Sequence, residues 1–168
     1  MMKKIISILL ILLSLCLCLS GCKKENENED ELESAKDIII FDATGRSCGL
    51  SDLKGNAVVL NFFTSWCPPC KAELPAFEKA YKSYGDQVIF LMVNLVGWEE
   101  SPTDGKKFIE DSGYTFPVYY DLDGTADIKY DIESIPQTFF INKDGKIADH
   151  HSGLITYAGL VSGINKIK

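Results

Sequence analysis

The chain has 168 residues, of which 46% are hydrophobic and 11% aromatic, with 17 basic against 24 acidic side chains and a net charge of −7. That length suggests one domain once any leader is removed, and the apolar content is ample for a buried core. The acidic balance excludes a nucleic-acid-binding role, which needs a basic footprint.

Met1-Met2-Lys3-Lys4 is a short basic segment, and Ile5 to Leu19 is aliphatic apart from serine and cysteine. These residues are short for a bilayer span of roughly 20 and fit an export signal, an uncleaved anchor being the alternative. Leu19-Ser20-Gly21-Cys22 follows at once and resembles the lipobox of bacterial lipoproteins. The resemblance implies removal of residues 1–21 as a signal peptide, cleavage before Cys22 and a diacylglycerol on the Cys22 thiol. Two acyl chains meet the requirement for stable anchoring. The mature protein is therefore expected at the cell membrane, lipid-anchored on the extracytoplasmic side. Loss of Lys3 and Lys4 leaves 15 basic against 24 acidic residues, a net of about −9, which mainly supports solubility.

Glu25 to Glu31 alternates acids with asparagine and cannot bury apolar surface. Residues 22–36 are accordingly read as the lipidated cysteine and a flexible acidic tether, and 37–168 as the folded domain. Fully extended, residues 23–36 reach at most about 50 Å. Cys16 and Cys18 leave with the leader and Cys22 is lipidated, so Cys48, Cys67 and Cys70 remain. An odd count with one close pair is a poor disulfide framework.

Within the domain, Ile38 to Phe41 is a β-prone run, followed by the turn signal Asp42-Ala43-Thr44-Gly45-Arg46 and by Leu50-Ser51-Asp52-Leu53. Val58 to Phe63 is continuously apolar but for Asn61, as expected of a strand covered on both faces. From Cys67 the period changes: Leu74, Phe77, Tyr81 and Tyr84 form a helical stripe that ends at Gly85. Val88 to Asn94 is a second buried strand, so strand, helix and strand make a parallel βαβ unit. Ser101-Pro102-Thr103-Asp104 predicts a helix capped by Ser101 and closed by Gly113. Val118 to Tyr120 is a further strand. Thr138 to Ile141 and Lys146 to His150 flank the hairpin turn Asn142-Lys143-Asp144-Gly145. Thr156 caps a last helix carrying Tyr157, Leu160, Val161 and Ile164 on one face. The pattern predicts an α/β domain, a single mixed central sheet with helices on both faces, an N-terminal β extension and a helix–strand insert.

The chemistry concentrates in Trp66-Cys67-Pro68-Pro69-Cys70. A thiol reacts as its thiolate, and Cys67 at a strand-to-helix junction would sit at a helix N-terminus, where free N–H groups and the dipole favour an anion. Cys70, one turn on, would be more shielded. A zinc site needs four ligands; only His150 and His151 could join the cysteines, and adjacent residues of a strand point to opposite faces. No metal and no cofactor are expected. A purely structural bridge across so small a ring would constrain the unfolded chain weakly. A redox-active dithiol remains.

These residues, with Lys71-Ala72-Glu73-Leu74-Pro75 after them and Ser134-Ile135-Pro136-Gln137-Thr138 further on, resemble the thioredoxin superfamily. The likeness is closest to its membrane-anchored TlpA/ResA-like reductases. It covers roughly Ile38 to Lys168 and implies a thioredoxin-like fold with Cys67 and Cys70 as the catalytic pair. It further implies a cis Pro136 facing the cysteines and a helix-kinking Pro75. An extended substrate could pair with the Ile135 backbone as an added strand, with Trp66, Pro68, Pro69, Ile135 and Pro136 forming the substrate-binding surface. Thioredoxin itself carries a buried aspartate six residues before the first cysteine; this chain has Asn61. The TlpA/ResA-like group has instead a glutamate three residues after the second cysteine, which Glu73 matches. Burial and a neighbouring thiolate should raise its pKa and suit it to accept the Cys70 proton; the alternative is a surface acid favoured by the helix dipole. Cys48 matches no catalytic position and reads as a buried, inert thiol.

The sequence thus predicts a thiol–disulfide oxidoreductase, a monomer acting as a reductant, because Pro68-Pro69 offers no group to stabilise the thiolate. Its partners would be disulfides of exported proteins, apocytochrome c among them, and a membrane thiol-electron donor. The alternatives are an oxidase or isomerase built on the same residues, a non-catalytic binding lipoprotein, and a peroxidase suggested by Thr64-Ser65-Trp66-Cys67. Leu60 stands where the peroxidase motif has proline.

Overall fold

The structure, a computed structural model, describes residues 32–168. The leader, Cys22 and most of the tether lie outside the described residues. Seven strands are formed: β1 (Ile39–Asp42), β2 (Ser47–Gly49), β3 (Val58–Phe63), β4 (Ile89–Asn94), β5 (Val118–Tyr120), β6 (Gln137–Ile141) and β7 (Ile147–Ser152). They make one sheet in the order β2-β1-β5-β4-β3-β6-β7. β3, β4 and β5 run parallel, and the other neighbouring pairs are antiparallel. The helices are α1 (Pro68–Tyr84), α2 (Asp104–Ser112), α3 (Ala126–Lys129) and α4 (Tyr157–Ile167).

β3 lies at the centre because it has no polar face to offer: all six of its residues are buried. Successive side chains of a strand alternate, so Val59 and Phe63 pack with Leu74, Phe77, Leu160 and Ile164 from α1 and α4. Val58, Leu60 and Phe62 pack on the opposite face with Ile38, Ile40, Ala126 and Tyr130. Phe108 and Ile109 of α2 join the first face. The mixed sheet with helices on both faces is therefore formed as expected, with the three longer helices on one side.

Several boundaries differ from the sequence reading. α2 begins at Asp104, three residues beyond the expected cap Ser101. The Asp104 carboxylate still accepts from the Ser101 N–H at 2.9 Å, which is half of the expected box, but the intervening residues form a turn. β2 and α3 were not anticipated; at three and four residues they are too short to show a period. The compact unit begins at Leu32, so the last residues assigned to the tether are packed on the domain. Ser34 bridges Lys146, Ala35 N–H donates to the Gly145 carbonyl at 2.9 Å, and Ile147 N–H donates to the Glu33 carbonyl at 2.8 Å.

α4 approaches β6 closely at Gly163, where a Cβ would run into the Phe140 ring. Gly163→Val should destabilise the domain by about 1–3 kcal/mol through overpacking. Valine is the informative choice because alanine's helix propensity, about 1 kcal/mol better than glycine's, would mask part of the loss. Urea unfolding followed by circular dichroism measures the effect; an unchanged midpoint would mean that Phe140 moves aside freely.

Candidate active site

β3 ends at Phe63, and the chain turns through Thr64, Ser65 and Trp66 into α1. Cys67 is the N-cap of that helix, with φ −72° and ψ 112°, and its sulfur accepts the Cys70 N–H at 3.2 Å. Pro68 and Pro69 fill the first two helical positions, where a missing donor costs little. Cys67 and Cys70 are joined in a disulfide with their Cα atoms 5.3 Å apart. In this oxidised state the expected contrast in shielding is small, with Cys67 2% and Cys70 0% exposed.

Opposite the disulfide, the Ile135–Pro136 bond is cis, and the Ile135 carbonyl oxygen lies 3.9 Å from the Cys67 sulfur. Pro136 is buried and Ile135 half-buried, while Pro68 and Pro69 are exposed. Trp66 is 48% exposed, its indole N–H held by the Trp98 carbonyl at 2.7 Å. Trp66 and Pro68 thus flank Cys67 in sequence, and Ile135 reaches it in space.

Glu73 lies one turn beyond Cys70 on α1 and is 1% exposed. Its Oε1 accepts from Asn61 Nδ2 at 2.9 Å and its Oε2 from the Ile155 N–H at 2.9 Å. Burial pushes its carboxyl up from 4.5 to about 7, and the Ile155 and Asn61 donors pull the other way. The rise matches the sequence reading in direction; with the sulfurs joined, burial alone supplies it. Asn61, noted in the sequence only as a departure from thioredoxin, is thus the carboxyl's neighbour. It sits opposite Thr138 in the β3–β6 register.

A second carboxylate braces the turn. Glu99 accepts from the Ser65 N–H, the Ser65 hydroxyl and Asn94 Nδ2, each at 2.6 Å. Nothing local in the sequence marks this contact, which spans 34 positions. Trp98 extends the brace, its indole donating to Asp127 at 2.8 Å.

The remaining sequence candidates lie elsewhere. Cys48 is on β2, at the far edge of the sheet from β7. It is half-buried rather than buried, and burial, then the Asp52 carboxylate, push its thiol up from the ordinary value. The His150 ring stacks on Phe139 with centroids 4.2 Å apart and its Nε2 lies 2.6 Å from Gln137 Oε1. His151 Nε2 lies 3.1 Å from the Leu154 carbonyl. Thr64, the threonine of the peroxidase half-motif, is fully buried, and its hydroxyl has no hydrogen-bond partner among the described residues.

Residues 32–150 match the AhpC/TSA family. The chain is 36% identical over 138 residues to the thiol–disulfide oxidoreductase ResA of Bacillus subtilis, covering 82% of this chain and 76% of that one. Its fold is similar to that of StoA from Bacillus subtilis, with a TM-score of 0.68 and 33% identity over 76% of this chain and 96% of that one. It is also similar to the exposed lipoprotein thioredoxin Etrx1 of Streptococcus pneumoniae, with a TM-score of 0.70 and 30% identity over 79% of this chain and all of that one.

Burial of Glu73 has a measurable signature. Its folded pKa lies above its unfolded value, so between pH 4.5 and about 7 the folded state holds a proton that the unfolded state has released. Stability from this group is present below pH 4.5 and is lost as pH rises through 7, by on the order of 3 kcal/mol. His150, whose pKa burial lowers, contributes in the opposite sense. The difference between the wild type and Glu73→Gln isolates the carboxyl: urea midpoints of the oxidised proteins should diverge between pH 5 and pH 8, with Gln the less pH-sensitive. Parallel pH profiles would show that Glu73 is ionised throughout.

Proposed function

This chain belongs to the AhpC/TSA family as a thiol–disulfide oxidoreductase of the ResA type, and we propose that it acts as a lipid-anchored, extracytoplasmic reductant of disulfides in exported proteins. The observation that carries the direction is the pair of prolines between the cysteines. A residue there that donated a hydrogen bond or a positive charge would stabilise the Cys67 thiolate and make the disulfide oxidising. Pro68 and Pro69 supply neither, and among the described residues the Cys67 sulfur accepts only the Cys70 N–H.

In the reducing direction, the Cys67 thiolate attacks one sulfur of a client disulfide and expels the other client sulfur as a thiolate. Cys70 then gives its proton to the Glu73 carboxylate, directly or through a water, and its sulfur attacks Cys67. The Cys67–Cys70 disulfide forms, the second client sulfur leaves, and the client has gained two electrons. Trp66, Pro68, Pro69, Ile135 and Pro136 would hold the client strand beside Cys67. Exported apocytochrome c, with paired cysteines, is the client that the ResA likeness suggests. A membrane thiol-electron donor would return the dithiol by the reverse exchange. The description of the Streptococcus pneumoniae relative as an exposed lipoprotein supports the reading of Leu19-Ser20-Gly21-Cys22 as a lipidation site. Among the described residues no helix is long and apolar enough to cross a membrane.

The reduction potential tests the direction. Equilibration of Cys67–Cys70 against glutathione should return a value well below roughly −180 mV and near roughly −270 mV. A value near roughly −120 mV would make the protein an oxidant instead. Reduction of insulin driven by dithiothreitol should vanish in Cys67→Ser; persistence would mean that the dithiol is not the working group.

Attachment is tested through Cys22. Expressed in a bacterium with a lipoprotein pathway, the wild type should partition into the membrane fraction and carry a diacylglycerol detectable by mass spectrometry. Cys22→Ala should lose the acyl group. Processed wild-type protein without an acyl group would overturn the anchor.

A further inference from the structure

Asn61 is fully buried, and its side-chain amide is unevenly satisfied. Nδ2, with two hydrogens, lies within bonding distance of three acceptors: Glu73 Oε1 at 2.9 Å, Thr138 Oγ1 at 3.1 Å and the Gln137 carbonyl at 3.4 Å. Oδ1, on the other side of the same amide, has no donor among the described residues. Buried polar atoms ordinarily find partners, and an orphan at a site of proton transfer calls for a reason. The two ends of an amide have nearly the same shape and opposite hydrogen-bonding character. Turning the group over by 180° would move Nδ2 to the side where Oδ1 now has no partner, away from the Gln137 carbonyl, and bring Oδ1 to face the Glu73 and Thr138 oxygens. Both can donate to it, threonine through its hydroxyl and glutamic acid through its proton.

We propose that Asn61 is the positioning residue for the Glu73 carboxyl, its amide turning over between the two protonation states so as to donate to the carboxylate and accept from the acid. The structure holds the donating orientation. When Cys70 hands its proton to Glu73, the Asn61 N–H would face an O–H, and the orphan oxygen then finds its donor. Asparagine suits this duty where neither leucine nor aspartate does: leucine serves neither state, and an aspartate carboxylate could accept from the acid but would repel the carboxylate.

The surroundings leave the amide as the main adjustable partner. On α1 the titratable neighbours are Cys67 and Cys70, here joined. From β3 and β6 come Asn61, Thr138 and the Gln137 carbonyl, none of them charged. The segment before α4 supplies the Ile155 N–H; the titratable groups flanking it are His151, whose Nε2 lies 3.1 Å from the Leu154 carbonyl, and Tyr157, whose ring lies under Lys79. On β7, Asp149 stands opposite Phe140 and is paired with Lys166 of α4 at 2.7 Å.

The role of the amide can be read without relying on Glu73 as the base. In oxidised protein labelled with carbon-13 at glutamate Cδ, the Glu73 resonance should titrate with a midpoint raised by about one pH unit in Asn61→Leu, because a donor to the charged form is gone. Asn61→Asp should raise it as well, and it serves should the leucine variant fail to fold. In the wild type, nuclear Overhauser contacts from the Asn61 amide protons to Thr138 should be present above the Glu73 midpoint and lost below it. Contacts that persist through the midpoint would overturn the turnover, and an unmoved midpoint in both variants would overturn the positioning role.

The kinetic consequence rests on the proposed function. Reduced protein mixed with 5,5′-dithiobis(2-nitrobenzoate) releases one thiolate on attack by Cys67 and a second on resolution by Cys70. Asn61→Leu should shift the pH profile of the second phase upward with the carboxyl midpoint and leave the first phase unmoved. Glu73→Gln should slow the second phase roughly 10- to 1,000-fold. Wild-type resolution in Glu73→Gln would overturn the base reading while the NMR result decides the amide. Slow resolution in Glu73→Gln with an unshifted profile in Asn61→Leu would overturn the amide's part in turnover.

Discussion

An ionisable side chain placed between a helix and a sheet must bring its hydrogen-bond partners with it, because burial cuts it off from bulk water. Glu73 is 1% exposed and has two donors, one per oxygen, Asn61 Nδ2 and the Ile155 N–H. Meeting that requirement fixes much of the molecule. α1 must lie across β3 so that its second turn covers Asn61, and β6 must pair beside β3 so that Thr138 flanks the amide. The segment before α4 must come close enough for its backbone to reach Oε2. The same arrangement sets Cys67 at the helix N-terminus and Pro136 across from it, so burying the carboxyl and presenting the disulfide are a single geometric problem.

A second set of contacts holds the exposed side of the site. Glu99 fastens Ser65 by both N–H and hydroxyl, and Trp98 ties the indole of Trp66 to its own carbonyl. These residues follow β4 at the start of the insert that carries α2, so the insert is coupled to the strand-to-helix turn rather than appended to the sheet edge. Asn94, at the end of β4, joins the system through Glu99 and packs where Gly105 lets α2 approach without a Cβ. Cys67 is therefore framed from two directions: a buried carboxyl below and a hydrogen-bonded clamp on the turn above.

How much of this could be read in the sequence depended on whether the signal was local. Val58 to Phe63 was bounded correctly because a strand buried on both faces is a continuous apolar run, and α1 ended at Gly85 where its stripe stopped. The dithiol, the cis Pro136 and the elevated Glu73 pKa followed from motifs whose partners lie nearby or match a family. Reading failed where the structure needed register. Asn61 and Glu73 are twelve residues apart and meet only because α1 folds back over β3; Asn61 and Thr138 meet only through the β3–β6 pairing. Ser101 carried a good cap signal, but a turn over Pro102 and Thr103 delayed α2 to Asp104. The residues just after the acidic run looked like tether by composition, yet their backbone groups pair with Gly145, Lys146 and Ile147, contacts that composition cannot encode.

The choice of asparagine on β3 also follows from electrostatics. With a carboxyl already at position 73, an aspartate at 61 would place two acids at hydrogen-bonding distance in a site closed to water, and like charges there cannot both ionise. One would hold a proton tightly, and the pair would titrate as a unit rather than as a single base near neutrality. An amide at 61 leaves one titratable group beneath Cys70 and gives it a partner of either polarity. Moving the acid from the strand to the helix in this way puts it on the element that also carries both cysteines. The separation of Cys70 from the carboxyl is then set by one helical turn rather than by the packing of helix on sheet.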